Sequence, residues 1–129
     1  MGIVAGIEDC LMRMMTIPGA QRVTLVDCAS GLAVAAAGRE DLIDQHEDAA
    51  GVTDVVRAIL TTPAFSATPA GDDVEEIIVC GTGGYHLLAL TGADLDGHLL
   101  VHLLIDRENG NIALARLRLR EVVHEMTGA

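Results

Sequence analysis

The feature that most constrains this chain is a strand-length segment in its second half that is apolar on both sides. Residues 99–101 and 103–105 are Leu, Val and Ile only, and His102 separates the two triplets. Successive side chains of a β-strand point to opposite faces, so such a run is buried on both of them. A sheet that is buried on both faces needs helices above and below it. The sequence therefore predicts an α/β (α+β) domain with helices on both sides of the sheet.

Apolar periodicity divides the rest of the chain into further helices and strands. Glycine-containing turns at 81–84 and 92–97 join three consecutive strands into an antiparallel meander, and the turn at 27–31 closes an earlier hairpin. The Arg/Leu alternation at 116–120 also fits a strand, but the length and the Ala, Leu, Arg and Glu content favour a helix. The predicted order is αββαβββα in one domain of residues 1–129, with helices over 3–17, 41–61 and 112–126 and strands over 22–28, 32–37, 74–80, 85–91 and 98–105.

The helix predicted over 41–61 has a segment of small residues in its middle. Its apolar stripe includes His46, Ala49 and Thr53, and Ala49 is followed by Ala50 and Gly51. A glycine inside a helix costs roughly 1 kcal/mol relative to alanine. Close approach of another backbone offsets that cost, and so does close packing on the domain's own sheet. The sequence leaves both explanations open.

The charge balance limits the classes of partner. The formal net charge is -11, which repels nucleic acid and anionic membrane surfaces. All eight basic residues are arginine, and four of them, Arg107, Arg116, Arg118 and Arg120, lie near the C-terminus. This group fits a solvated helix face or, alternatively, a local docking patch on an acidic body.

The cysteines and the N-terminal residues indicate a cytoplasmic protein. Cys10, Cys28 and Cys80 form neither an even-numbered disulfide framework nor a CxxC pair, so we expect small buried thiols in a reducing compartment. No basic segment precedes an apolar run at the N-terminus, and no apolar stretch approaches the ~18 residues of a membrane span.

Histidines on the predicted strands raise the question of a metal site. His98 and His102 share a face of one strand, but four residues along a strand correspond to ~13 Å, too far for one ion. His86, on the neighbouring strand, is able to approach only one of the two. We therefore expect half-buried strand histidines and no metal.

No catalytic constellation is present. The segment 80–84 resembles a phosphate-binding loop only superficially, because a strand follows it and the chain contains no lysine. Glu75 and Glu76 are neighbours on a strand and point to opposite faces, so they do not form a catalytic pair. Neither Ser30 nor Ser66 stands in a GxSxG elbow. The sequence predicts a protein that is not an enzyme and holds no cofactor.

Several local segments, taken with the element order, point to a known family. They are Ile17-Pro18-Gly19-Ala20 before the first strand, the hairpin turn at 30–35, the Gly83-Gly84-Tyr85 turn and the helix after Asn109-Gly110. Together with the order αββαβββα, they resemble the roadblock/LC7 family of dynein light-chain-like proteins, which partner Ras-like GTPases. Ser30 stands where the family usually has Asp. The alanine-rich, arginine-only composition suggests the bacterial branch.

The resemblance implies a profilin-like architecture and a mode of self-association. The family's five-stranded, mostly antiparallel sheet has the order 2-1-5-4-3, which leaves the third strand at an edge. Its members dimerise by pairing that strand with its copy and setting the long helices side by side. For this chain the implied dimer interface consists of Ala49, Ala50, Gly51, Val74, Glu76, Ile77, Ile78, Val79 and Cys80.

Two functions from different classes follow from this resemblance. The first is a homodimeric adaptor or regulator that binds a small Ras-like GTPase in a bacterial signalling or polarity system, with no nucleic acid or membrane partner. The alternative is a small-ligand sensing module of the profilin or PAS type. That alternative requires an internal cavity with convergent polar groups such as His86 or His102.

Overall fold

The computed structural model describes residues 3–39, 44–69, 73–91 and 99–126. Within them the element order is αββαβββα, as the sequence predicts. His98 and residues 41–43, which the predicted strand and helix included, lie outside the described residues. The helices are α1 (Ile3–Met14), α2 (Gln45–Leu60) and α3 (Ile112–Met126), and the strands are β1 (Ala20–Asp27), β2 (Leu32–Gly38), β3 (Glu76–Cys80), β4 (Tyr85–Leu90) and β5 (Leu99–Ile105).

The five strands form one sheet in the order β2-β1-β5-β4-β3, and every neighbouring pair is antiparallel. This is the order that the family resemblance implies. The two outermost strands are β2 and β3. Between β1 and β2 the register shifts at Leu25/Val26, where Leu25 faces Ala35 and Val26 faces Ala33, so Val34 is an extra residue of a β-bulge.

The larger part of the core lies between the sheet and the pair α1 and α3. Alternate residues of the strands point to this side, and those in the middle of β1 and from Val101 onward in β5 are buried completely. Met14 of α1 and Ala115 of α3 are fully buried against them. This face contains Val23, Leu25, Leu87, Val101, Leu103 and Ile105 among its buried strand residues.

The opposite face carries a smaller cluster under α2. Ala49, Thr53 and Val56 of the predicted stripe are buried, and Ala49 and Val56 pack with Val26 and Leu100 of the sheet. The helix lies mainly over β1 and β2. The strands at the other end of the sheet therefore receive less cover from α2 on this face.

Polar side chains cap the N-termini of α2 and α3. The helix α2 begins at Gln45, because Asp44 is its N-cap and accepts from the backbone N–H of His46 at 2.8 Å. His46 is exposed rather than part of the buried stripe. Asn111 caps α3, since its side-chain oxygen accepts from the Leu114 N–H at 3.0 Å. The Arg/Leu alternation at 116–120 is helical.

Candidate functional site

On the outer side of β3 no strand of the described residues pairs with it. Its five residues pair with β4 in the register Ile78 opposite Leu87 and Val79 opposite His86, and no other described strand lies along the far side. An edge strand offers unpaired N–H and C=O groups to another chain. Proteins blunt such edges with lysine, proline or inward charges, and residues 77–80 contain none of these. The edge is therefore available for strand pairing.

The side chains of β3 add exposed apolar surface to this edge. Ile78 is 40% and Val79 45% exposed, and Cys80 is exposed as well. The exposure of Cys80 corrects the expectation that all three cysteines are buried; only Cys10 and Cys28 are. Ile77 packs against the α2-side cluster, and Val74 is half-buried just before the strand begins. The predicted edge residues thus lie together, and three of them present accessible surface.

Glu76 fixes the start of β3 to α3. Its carboxylate pairs with Arg116 and accepts a longer contact from Arg120, whose Nη2 lies 3.4 Å from Oε2. These two arginines are one turn apart on α3, so a single carboxylate between them holds the strand against the helix. Glu76 therefore positions the edge from inside the chain, and it is only half-exposed to a partner.

The arginines near the C-terminus mostly have contacts within the chain. Besides the two that meet Glu76, Arg107 stacks over Tyr85 at 5.2 Å from the ring centroid and donates to the Gly81 carbonyl at 3.0 Å. Arg107 thus braces the turn between β3 and β4. Arg118 is exposed on α3. Three of the four arginines proposed from the sequence as a docking patch therefore have partners within the chain.

The small residues of α2 divide between the inside and the outside. Ala49 is 1% exposed and belongs to the chain's own core, whereas Ala50 and Gly51 are exposed. A Cβ built on Gly51 meets nothing within 4 Å, so intrachain packing does not require a glycine there. Val55, one turn further, is 49% exposed. The outward side of α2 therefore combines a small residue and an apolar one without a covering element from the described residues.

A polar chain that the sequence did not reveal links α2 to the strands. His86 Nδ1 and His102 Nε2 are 2.9 Å apart, and His102 Nδ1 lies 3.6 Å from Oδ2 of Asp48. The interaction with His102 holds the pKa of Asp48 below its usual range. Burial, and secondarily the neighbouring His102, lower the pKa of His86. Three residues from three different elements thus form one electrostatically coupled group.

The strand register makes the approach of His86 to His102 predictable, but Asp48 carried no signal. The direct partner of His102 on β4 is Leu88, so His86, two residues before Leu88, lies diagonally from His102. The third histidine of the sequence argument, His98, lies outside the described residues. Asp48 follows three other polar residues of α2, and only the actual rotation of the helix turns it toward the sheet. Among the described residues no group of three metal-ligating side chains suits an ion.

A groove of about 380 Å³ lies on the other face, between α3 and the β3–β4 end of the sheet. Its apolar wall includes Leu87, Leu119 and Val123, and Glu76 and Arg116 line it too. Neither His86 nor His102 reaches it. The two histidines and this groove are therefore separate. In the described part of the chain, no helix has the length and apolar character of a membrane span.

Solved structures of bacterial proteins share this architecture. Myxococcus xanthus MglB superposes with a TM-score of 0.81 at 18% sequence identity, over 96% of this chain and 86% of that one. A structure of MglB in a tetrameric arrangement gives 0.79 at 15% identity, over 98% and 88% of the two chains. A roadblock/LC7 domain from Streptomyces avermitilis gives 0.68 at 18% identity, over 94% and 91%.

These similarities establish the fold. No protein-family model matches the sequence, and no curated protein matches it either. The structural neighbours nonetheless cover nearly the whole chain, and their common architecture is the one that the sequence resemblance implied. The chain has a bacterial, MglB-like roadblock/LC7 fold.

Proposed function

We propose that this chain is a homodimeric, non-catalytic adaptor or regulator that binds a small Ras-like GTPase in the bacterial cytoplasm. The observation that carries the proposal is the outer edge of β3, where Ile78 and Val79 are 40% and 45% exposed and no described strand lies alongside. Pairing with a second copy satisfies the free backbone groups of the edge and removes apolar surface from water.

The outward side of α2 supports a second copy as the occupant of this edge. In a two-fold pair of β3 strands, the same surface of both copies meets, and the family that the sequence resembles also sets its long helices side by side. Exposed Ala50 and Gly51 allow two helix backbones to come close, and Val55 supplies apolar contact. One protein of the same fold, MglB, is known in a tetrameric arrangement, which is consistent with self-association of such domains.

The GTPase as partner rests on the roadblock/LC7 fold and on the sequence resemblance to a family that partners Ras-like GTPases. The similarity to MglB, including a protein described as a gliding protein from Thermus thermophilus, favours a signalling or polarity system. The net charge of -11 favours protein partners over nucleic acid or anionic membrane.

Sedimentation equilibrium of two matched variants tests the dimer. Val79→Lys places a charge on the β3 edge, and Val34→Lys places one on the opposite edge strand at a residue of similar exposure, 50%. We expect the wild type and Val34→Lys to sediment with twice the chain mass at micromolar concentration. Val79→Lys should raise the dissociation constant at least ten-fold, because a charge on the edge opposes strand pairing. A monomeric wild type, or equal weakening by both variants, contradicts the proposed edge.

Affinity capture from the native cytosol, with GDP or a non-hydrolysable GTP analogue added, tests the partner. We expect one small GTPase to be retained preferentially in one nucleotide state, and the purified pair to reproduce that preference. Adding the chain to the purified GTPase and measuring phosphate release then distinguishes a scaffold from an activator. Absence of any small GTPase from the captured proteins in both nucleotide states contradicts the proposal.

A further inference from the structure

We propose that the group Asp48–His102–His86 makes the pairing of two copies depend on protons: one proton taken up by the two histidines weakens the dimer. This inference rests on the proposed dimer and concerns its regulation. The group connects the two elements of the proposed interface. Asp48 belongs to α2 and immediately precedes the segment Ala49–Gly51, and His86 stands opposite Val79 of β3.

The tautomers of His102 and His86 at neutral pH follow from which atoms near them accept hydrogen bonds. An ionised carboxylate has no hydrogen to donate, so Asp48 favours the tautomer of His102 that carries its proton on Nδ1. The Nε2 atom of His102 is then an acceptor, and at 2.9 Å it receives the Nδ1–H of His86. With its proton on Nδ1, His86 has a bare lone pair on Nε2.

That lone pair faces outward. Nε2 of His86 has no hydrogen-bond partner among the described residues, and no buried side-chain nitrogen or oxygen in that part of the chain lacks one. The atom therefore reaches the surface. His86 shares a sheet face with Leu104, its direct partner on β5, and with Val79 on the edge strand. A second copy that pairs with β3 and sets its α2 alongside covers this face.

One proton changes the character of that outer atom. A proton from the solvent adds to Nε2 of His86, while the hydrogen bond between Nδ1 of His86 and Nε2 of His102 remains. The hydrogen-bonded pair then carries one positive charge beside the Asp48 carboxylate. The group has gained one proton and one positive charge, and Nε2 of His86 has changed from acceptor to donor. A partner surface that fits the acceptor meets a hydrogen in its place.

The surroundings oppose the extra charge when the face is covered. Asp48 of α2 is the charged group that acts on the histidine pair, and Arg22 of β1 acts in turn on Asp48. The residue of β3 opposite His86 is the uncharged Val79. Asp48 favours the cation, and Arg22 reduces that benefit. Burial already lowers the pKa of His86 in the single chain. Covering the face removes more water and lowers it further, so the dimer binds the proton less tightly than the monomer does.

The sign of the effect distinguishes this group from the general charge of the protein. Each copy carries -11, and acidification toward the isoelectric point near 4.6 reduces the repulsion between copies. Repulsion alone therefore predicts a tighter dimer at lower pH. The histidine pair predicts a weaker one as the pH falls below the ordinary histidine range.

Sedimentation equilibrium at pH 7.5, 6.5 and 5.5 tests the proposal with the wild type, His86→Gln and the control His124→Gln. His124 is exposed on α3, on the other side of the sheet. We expect the dissociation constants of the wild type and of His124→Gln to rise about ten-fold or more from pH 7.5 to 5.5, as one linked proton per chain allows. His86→Gln should stay constant or tighten, because a glutamine at position 86 presents the same donor and acceptor atoms to the second copy at every pH.

The long-range ¹H–¹⁵N spectrum of the histidine rings gives a second readout that needs no variant. We expect His86 as the Nδ1–H tautomer at pH 7.5 and with a protonated Nε2 at pH 5.5. A wild-type dimer whose dissociation constant is flat or falls with acid overturns this inference and leaves the proposed dimer standing. A chain that is monomeric at every pH overturns both. An Nε2–H tautomer of His86 at pH 7.5 overturns the proton arrangement itself.

Discussion

Gly19 and Gly110 are in contact at the end of the sheet: a Cβ built on Gly19 lies 2.6 Å from the Cα of Gly110. The Gly19 carbonyl also accepts from the N–H of Asp106 at 2.8 Å. Two of the short segments that carried the sequence resemblance, one before β1 and one before α3, therefore pack on each other. Gly19 is explained by this close approach and its positive φ, whereas a Cβ on Gly110 would collide with the Ile105 side chain and the Asp106 carbonyl.

Gly19→Ala should destabilise the fold, because the residue has φ of 84° and its added methyl meets the Gly110 backbone. The left-handed conformation alone costs about 1–2 kcal/mol for a residue with a side chain. We expect a loss of about 2 kcal/mol or more in the free energy of unfolding, measured with urea. Gly6→Ala is the control, since Gly6 lies in α1 with nothing within 4 Å of its Cβ, and a gain of roughly 0.5–1 kcal/mol is expected there. Equal effects would rule out this explanation.

Gly51→Ala should separate the stability of the chain from its association. In the single chain the added methyl points into open space, so α2 gains about 1 kcal/mol of helix propensity. In the proposed dimer the same methyl separates two helices, and the dissociation constant should rise at least ten-fold. Urea unfolding at a dilute concentration gives the first value and sedimentation gives the second. An unchanged dissociation constant would show that α2 is remote from the interface.

Glu76→Gln should loosen the edge strand from α3. The change removes the one carboxylate that pairs with both Arg116 and Arg120, and it leaves two guanidinium groups facing each other. Because the arginines are largely solvated, we expect a loss of only about 1 kcal/mol in urea unfolding, which shrinks in high salt. Glu75→Gln is the matched control on an exposed neighbour. Faster amide hydrogen exchange along β3 in Glu76→Gln alone is the accompanying signature.

Acid should destabilise the fold in two separate steps. The pKa of His86 is lowered from the ordinary 6.5, so below that value the unfolded chain takes up a proton that the folded chain resists, and stability falls as the pH falls. The pKa of Asp48 is lowered from 3.8, so its contribution is present above that value and is lost only as the pH falls through and below it. Urea unfolding between pH 8 and 3 measures both, and His86→Gln should remove the upper step alone.

The three cysteines should react at very different rates. Cys80 is exposed at the end of β3, whereas Cys10 and Cys28 are buried, and burial raises the pKa of both buried thiols. We expect one fast iodoacetamide reaction per chain, at Cys80, identified by mass spectrometry. Raising the protein concentration should slow that reaction if β3 pairs with a copy. Modification of Cys28 as fast as that of Cys80 would contradict the burial.

Local patterns predicted the elements, and contacts distant in sequence decided the rest. The apolar period placed α3 at 112–126, the bounds that the structure has, although the Arg/Leu alternation also fits a strand. The same period was wrong at the start of α2. It predicted that His46 belongs to the buried stripe, but His46 is exposed and Asp48 faces His102 instead. The rotation of a helix on a sheet depends on which strands lie beneath it, and no local spacing contains that information.

The predicted site shows the same division. The apolar character of 77–79 was evident, but its place at the sheet edge came from the family's strand order. Ala49 lies in the core and Gly51 faces open space, although only two positions of the helix separate them. Likewise, Glu76 and Arg116 are far apart in sequence, and only the packing of α3 against β3 brings them together.

The bulge at Val34 bears on how large an assembly can grow. A two-fold pair joined through β3 is a single ten-stranded layer whose outer rims are both β2, given five strands in each copy. Those rims carry no charge, so their composition alone does not stop further chains from adding. The extra residue twists the rim and interrupts the regular spacing of its free amides and carbonyls. Once two copies have paired through β3, neither has a free β3 edge for a third copy. The bulge distorts the remaining β2 edges, which disfavours the addition of further chains to the pair.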